Sequence, residues 1–346
     1  MRKQLLFVMC VFAISFLMVG CSSNYDATEE DMNEAIPFEE IYEAPAIDVV
    51  YEITDEPTSC SLLAAMLSHE AVIDVTPVIL PPRVTFNIEQ FVAYNDIEHM
   101  PIIYSIRYTS DSYQVRGFVA APGDFMYRSY PILIYNRGGN REIGALTPDY
   151  VLWYAMRGYI VLASQYRGIL GGTGREQFGG DDINDVLRLI DISENLHFAQ
   201  QGGVYMLGVS RGGMMTYIAS RMDDRIRAAA VWAAISNSFE SFYEREDAMQ
   251  MVYIELVGGT PEELPEEFER RSAVMWADEI IVPLLIGHGG EADWRVPTHH
   301  AINMAEALEN YGKQHRLIIF PDADHSHWET NFLDEMDEWF KQFPIE

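Results

Sequence analysis

Ser210 lies in the hexapeptide Gly208-Val-Ser210-Arg-Gly212-Gly213, between the apolar run Val204–Leu207 and the helix-like run Met214–Ala219. A strand that turns sharply into a helix with a serine at the apex is the Gly-x-Ser-x-Gly nucleophile elbow. The turn is tight enough that a side chain at position 208 or 212 would collide with its neighbours, which accounts for glycine at both. Such a turn would hold the Ser210 hydroxyl out over the edge of a sheet. It would also aim the Arg211 N–H and the helix N-terminus at a carbonyl under attack.

A serine alcohol is a weak nucleophile; it needs a base, and the base needs an orienting acid. In α/β-hydrolases the acid follows the serine and the histidine comes last. The run Ile280–Ile286 reads as a buried strand ending in Gly287-His-Gly-Gly-Glu-Ala-Asp293-Trp-Arg-Val-Pro297. A carboxylate just past a parallel strand sits at the carboxyl edge of the sheet, where ligands bind in open α/β folds. The next strand, Arg316–Phe320, runs into Pro321-Asp-Ala-Asp-His325-Ser-His327. We therefore assign Ser210 as nucleophile, His325 as general base and acid, and Asp293 as orienter. His327 is an alternative base and Glu291 an alternative acid. Asp322 and Asp324 are too near His325 in sequence and read as turn formers, while His288 reads as packing beneath the Asp293 loop.

A second oxyanion donor is expected from Asn136-Arg137-Gly138-Gly139-Asn140, which follows the strand Pro131–Tyr135. A glycine-rich turn there can point the Arg137 or Gly138 N–H at the same oxyanion, because this strand would neighbour the elbow strand. His325-x-His327 with His299-His300 suggests a metal site, but the spacing of a zincin is missing, so no metal is expected. His299 and His300 then open a helix as solvated or capping residues. Gly171-Gly-Thr-Gly174 lacks both phosphate-binding glycine patterns, so no nucleotide and no cofactor are expected.

Three stretches together resemble the catalytic domain of the prolyl oligopeptidase-type serine peptidases, a branch of the α/β-hydrolases. They are Tyr166-Arg-Gly-Ile-Leu-Gly-Gly-Thr-Gly174 with Phe178-Gly-Gly-Asp-Asp-Ile-Asn-Asp185, the elbow with its extra glycine at 213, and His288-Gly-Gly-Glu-Ala-Asp293-Trp-Arg-Val-Pro297. The resemblance runs from about Ile102 to the C-terminus, and it implies a triad at Ser210, Asp293 and His325. Family members commonly carry His-Gly-Gly or Tyr-Gly-Gly after the third strand, where this chain has Arg137-Gly138-Gly139. A backbone donor survives that change and a tyrosine hydroxyl donor does not. Large members also carry an N-terminal β-propeller, and no blade-length repeat precedes the domain here.

These residues need a parallel sheet to hold them. Strands are predicted at Ile132–Tyr135, Tyr159–Ala163, Val204–Leu207, Ala228–Trp232, Leu284–Ile286 and Leu317–Phe320, with helices between them. Asp181–Glu194 shows a helical stripe at Ile183, Val186, Leu187 and Ile190, with first-turn acids that suit the helix dipole. Ile102–Tyr108 and Val115–Ala120 pair across a Ser110-Asp-Ser112 turn as opening antiparallel strands, and Thr85–Tyr94 reads as a further strand. Ser61–Ser68 suggests a short helix, and the Val/Ile/Pro stretch after it has no assigned role. The expected fold is thus an α/β-hydrolase over 101–346, with an extension over 46–100. Between Asn237 and Asp278 lies an insertion expected to cap the site. There Phe239, Phe242, Tyr243 and Met249 would line an apolar pocket and Glu244 or Glu246 would meet a cationic group; equally, these residues form the cap's own core and solvated face.

At the N-terminus, Arg2 and Lys3 precede the apolar run Leu5–Val19, which ends in Gly20-Cys21. This reads as an export signal over 1–20. Its ending resembles the bacterial lipoprotein box, which implies lipidation of Cys21, with 21–45 as an acidic tether off the membrane. An ordinary signal peptide or a single anchor helix is the alternative. Cys10 would leave with the signal, so Cys60 would have no intramolecular disulfide partner. A net charge of −30 argues against nucleic acid, and 49% hydrophobic residues support a full globular core. The expectation is a lipid-anchored serine hydrolase of the cell envelope, working through an acyl-enzyme on short peptides. A carboxylesterase or sugar-ester deacetylase and a non-catalytic binding lipoprotein are the alternatives.

Overall fold

In a computed structural model, residues 68–80, 85, 89 and 99–345 are described. The apolar runs become strands of a nine-stranded sheet in the order β1-β2-β3-β5-β4-β6-β7-β8-β9. The strands are β1 Val72–Pro77, β2 Ile102–Ser110, β3 Tyr113–Ala121, β4 Ile132–Asn136, β5 Ile160–Ser164, β6 Val204–Val209, β7 Ile226–Trp232, β8 Leu284–Gly289 and β9 His315–Phe320. β1, β2 and β3 pair antiparallel, and β3 joins β5 antiparallel. From β5 through β4, β6, β7, β8 and β9 every pairing is parallel. The chain steps from β4 outward to β5 and then back across to β6. The carboxyl ends of β4 and β6 therefore flank the point where the winding reverses, the place where open α/β sheets hold their ligands.

Alternation along each central strand divides the core in two. In β4, Ile132 and Ile134 face one cluster while Leu133 and Tyr135 face the other; in β6, Val204 and Met206 oppose Tyr205 and Leu207. The first face is covered by α2 Ile183–Ser193, α3 Arg211–Met222 and α7 His299–Asn310, and the second by α1 Pro148–Met156 and α8 Phe332–Phe340. α8 buries Phe332, Leu333, Met336, Trp339 and Phe340, a helical stripe. Each such side chain contributes about 1.5–3 kcal/mol of burial. Tyr205 stacks on Phe340 and donates its hydroxyl to the carbonyls of Phe340 and Phe343 at 3.0 and 2.9 Å, which pins α8 under the elbow strand.

Between β7 and β8 the expected insertion forms α4 Ser238–Glu244, α5 Asp247–Val257, α6 Pro265–Glu269 and a 3-10 helix at Ala273–Glu279. Two expectations change. β1 arises from the stretch that had no assigned role and pairs with β2, helped by the Asp74–Arg107 ion pair. In the expected strand Thr85–Tyr94, Thr85 and Glu89 are helical, and its other residues lie outside those described. The export signal, Cys21, the tether, Cys60 and the helix expected at Ser61–Ser68 also lie outside them, apart from Ser68 itself.

Candidate active site

β6 delivers Ser210 and α3 leaves from it. Ser210 has φ +57° and ψ −122°, a conformation that costs a non-glycine residue about 1–3 kcal/mol and persists only where its surroundings enforce it. A Cβ on Gly208 would stand 2.1 Å from the Gly212 carbonyl oxygen, and one on Gly212 would stand 2.0 Å from that of Asn136. The turn is thus closed on itself and on the end of β4. Gly138 lies beside the serine, since its Cβ would meet the Ser210 Cβ at 3.2 Å. The Ser210 N–H donates to the Trp232 carbonyl at 2.8 Å, which fixes the elbow to β7.

Asp293 follows β8 and His325 follows β9. His325 Nδ1 lies 2.9 Å from Asp293 Oδ2 and 3.0 Å from Oδ1. The Arg295 and Val296 N–H groups donate to Asp293 Oδ1 at 3.0 and 3.1 Å. Burial pushes the Asp293 pKa up, but the hydrogen bond and charge of His325 and the Val296 N–H outweigh it, and the carboxyl titrates below the ordinary aspartate value. The two loops touch backbone to backbone: Gly290 N–H donates to the Ala323 carbonyl at 2.9 Å, and a Cβ on Gly290 would meet the Pro321 oxygen at 2.0 Å. The Trp232 indole N–H holds the His325 carbonyl at 3.0 Å. With Nδ1 on Asp293, Nε2 is the ring atom that can exchange a proton with a hydroxyl.

The alternatives separate clearly. His327 is buried among Trp232, Trp328 and Phe332, and burial followed by the charge of His325 lowers its pKa to about 3. It stays neutral and shut away from solvent. Glu291 is exposed, whereas Asp293 is the carboxylate on His325. His288 is buried under the loop, with Nδ1 2.9 Å from the Gly289 carbonyl and Nε2 3.9 Å from Asp293 Oδ2.

The Arg137 and Arg211 side chains turn inward, away from solvent. Arg211 binds Glu176 at 2.6 Å and Asp182 at 2.7 Å, and lies over the rings of Tyr166 and Phe178. Burial lowers its pKa, yet the two carboxylates outweigh burial and raise it. Arg137 donates to the carbonyls of Gly138, Arg141, Ile143 and Gln165. Burial, then the charge of Arg211, lowers its pKa to about 10. Glu176 also accepts the Arg141 N–H, so one buried carboxylate braces both the elbow and the loop beside it. Asp182, expected as a helix-dipole acid, instead binds Arg211 and the N–H groups of Gln177 and Gly179. Sequence reasoning missed Trp232, Glu176 and the role of Asp182, because the burial of Arg211 that calls for these acids is visible only in the fold.

In the insertion, Phe242 is buried against Tyr253 and Phe268, Phe239 also packs on Phe268, and Met249 packs against the core. Tyr243 is exposed and hydrogen-bonds Glu262. Glu244 is paired with His299 and His300, and Glu246 with Arg245, so a cationic group would have to compete with those partners. His300 is fully buried and Thr298 is the N-cap of α7, so the solvated or capping reading of His300 fails.

A family model described as the prolyl oligopeptidase family matches residues 148–343. The chain belongs to the prolyl oligopeptidase family of serine peptidases. Within it, the chain is 30% identical over 212 residues to the uncharacterised peptidase YtmA of Bacillus subtilis, covering 61% of this chain and 81% of that protein. It is 24% identical over 258 residues to dipeptidyl-peptidase 5 of Porphyromonas endodontalis, covering 68% of this chain and 37% of that one. Among solved structures, the Pyrococcus horikoshii acylaminoacyl peptidase superposes with a TM-score of 0.64 at 21% identity, over 74% of this chain and 44% of that chain. This family member thus spans under half the length of several relatives. The likeness to the solved peptidase shows that the α/β-hydrolase fold is shared.

Proposed function

We propose that this chain is a peptidase of short peptides in which Ser210 attacks the scissile carbonyl. His325 Nε2 takes the hydroxyl proton as the Oγ–C bond forms. Asp293 holds the imidazole in the tautomer that leaves Nε2 free to accept and stabilises the imidazolium. The Arg211 N–H and a backbone N–H of the Arg137–Gly138 loop bind the oxyanion. His325 then gives its proton to the leaving amine as the C–N bond breaks. A water, deprotonated by the same ring, releases the acyl group and returns the proton to Ser210.

The Asp293–His325 contact, joined to the serine elbow through Trp232, carries this reading. The curated relatives named as a dipeptidyl-peptidase and acylamino-acid-releasing enzymes support a peptide substrate. A fluorophosphonate probe should label Ser210 and fail on Ser210→Ala, which should lose about 10⁴–10⁶ in kcat. Parallel assays on aminoacyl-arylamides and short acyl esters decide the substrate class. Activity confined to esters sinks the peptidase reading, and an unlabelled serine sinks the mechanism.

We also propose export and lipid anchoring through Cys21, supported by the Arg2-Lys3 head, the Leu5–Val19 run and the Gly20-Cys21 ending. Palmitate labelling should vanish in Cys21→Ala; labelling retained in that variant rules the anchor out.

A further inference from the structure

Away from Ser210, α4 and α7 bring four side chains with metal-binding atoms together. Glu240 and Glu244 stand one turn apart on α4 and so share a face. His299 and His300 open α7. One donor atom from each lies within 4.8 Å of every other. His299 Nε2 is 2.9 Å from Glu244 Oε1 and 3.4 Å from Glu240 Oε2, and His300 Nε2 is 3.2 Å from Glu244 Oε2. A tetrahedral zinc ion with bonds of about 2.0–2.1 Å sets its donors about 3.3–3.5 Å apart. The three contacts lie at or just below that value, and the other donor pairs fall within 4.8 Å, so small side-chain shifts would bring the four atoms to a tetrahedral spacing.

A second observation points to a cation. Glu240 Oε2 is shut off from solvent and makes no hydrogen bond, although His299 Nε2 stands 3.4 Å away. The Glu240 side chain is 40% exposed, but this one oxygen is covered and its nearest donor is the His299 imidazole, so a positive ion at the centre of the four groups would satisfy it better. The support behind the ligands also fits. His300 is fully buried, and its Nδ1 lies 3.3 Å from both the N–H and the Oγ of Ser236. Ser236 Oγ donates its own proton to the His300 carbonyl at 2.8 Å, so it can accept from Nδ1–H. That tautomer frees Nε2 for a metal. The other tautomer, with Nδ1 accepting from the Ser236 N–H and Nε2–H donating to Glu244, is the metal-free form.

We propose that Glu240, Glu244, His299 and His300 form a structural site for a divalent cation of the zinc class. Two imidazoles and two carboxylates select zinc, cobalt or nickel over magnesium or calcium, which take oxygen-only sets. Two negative charges cancel the dication. Four protein donors fill a tetrahedral shell, so the ion has no open position for substrate and serves as a staple. It joins the first helix of the insertion to the helix that follows the Asp293 loop. It also occupies Glu244, which removes that acid from amine recognition.

The test uses the full chain stripped with chelator and then given Zn²⁺ alone. One equivalent should bind, and Tm should rise by on the order of 5 °C once the ion is in hundredfold excess over Kd. Co²⁺ should give the intense visible bands of a four-coordinate site, and Mg²⁺ and Ca²⁺ should give no shift. His299→Ala and Glu240→Gln change half-exposed positions, so both should fold, as circular dichroism will check. Each should weaken Zn²⁺ binding at least about tenfold and abolish the cobalt bands. Absence of binding to the wild type, or equal binding by wild type and both variants, overturns the proposal.

Discussion

Trp232 and His325 are joined by a hydrogen bond from the indole Nε1–H to the His325 carbonyl, 3.0 Å long. The carbonyl of the same tryptophan accepts the Ser210 N–H at 2.8 Å. One residue at the end of β7 therefore sets the positions of both the alcohol and the imidazole. Trp232→Phe keeps an aromatic ring and removes the indole donor. It should lower kcat about tenfold with little change in KM, and cost on the order of 1 kcal/mol in stability plus the loss of packing. Steady-state kinetics and urea unfolding will check both.

Asp293→Asn preserves the shape of the acid and removes its charge. The amide cannot hold His325 in the same tautomer or stabilise the imidazolium, so kcat should fall about 10⁴-fold. The His325→Gln variant should lose a similar factor, and the double variant should lose hardly more than either alone. Additive losses in that cycle argue against a shared role.

His327 gives the fold a pH dependence of its own. Its pKa is lowered to about 3 when folded, against about 6.5 for an unfolded histidine. The unfolded chain thus takes up a proton that the folded chain refuses. This neutral histidine favours folding fully above about pH 6.5, and that contribution is lost as pH falls toward the folded value. His327→Phe, in an aromatic surround, should remove this loss. The difference in unfolding free energy between variant and wild type should grow in the variant's favour by about 1.4 kcal/mol per pH unit between about pH 6 and pH 4. A difference that stays constant across that window would falsify the assignment.

Glu176→Ala should leave Arg211 short of a buried partner and release the Arg141 N–H. Removing one partner of a buried pair costs about 3–5 kcal/mol, so Tm should drop by several degrees. Glu176→Gln keeps the hydrogen-bonding shape and should recover part of the stability. Its kcat should remain below wild type, because the loop and elbow are then held without charge.

Much of this architecture was legible because buried parallel strands are continuous apolar runs. Ile132–Tyr135 and Val204–Leu207 announce themselves by composition alone. Ser210, Asp293 and His325 were legible because each stands in a loop directly after such a run. β1 was not, since an edge strand carrying Asp74 has weak patterning. Thr85 shows that strand-favouring composition yields to context, for it is helical. Arg137 and Arg211 were legible only as backbone donors, and the fold reveals that their side chains are buried and which acids Arg211 pairs with. The pairing of His299 and His300 with Glu240 and Glu244 was likewise invisible, because it depends on how α4 packs against α7.

The last strand of the sheet, β9, has a neighbour on one side only among the described residues and carries His325 on the loop beyond it. Ser210 leaves from β6, well inside the sheet. The two halves of the chemistry thus rest on parts of unequal sturdiness. Peeling of the margin would take away the proton carrier while leaving the alcohol seated in its turn. Gentle warming should therefore silence turnover before the bulk of the secondary structure melts, and cooling should restore it.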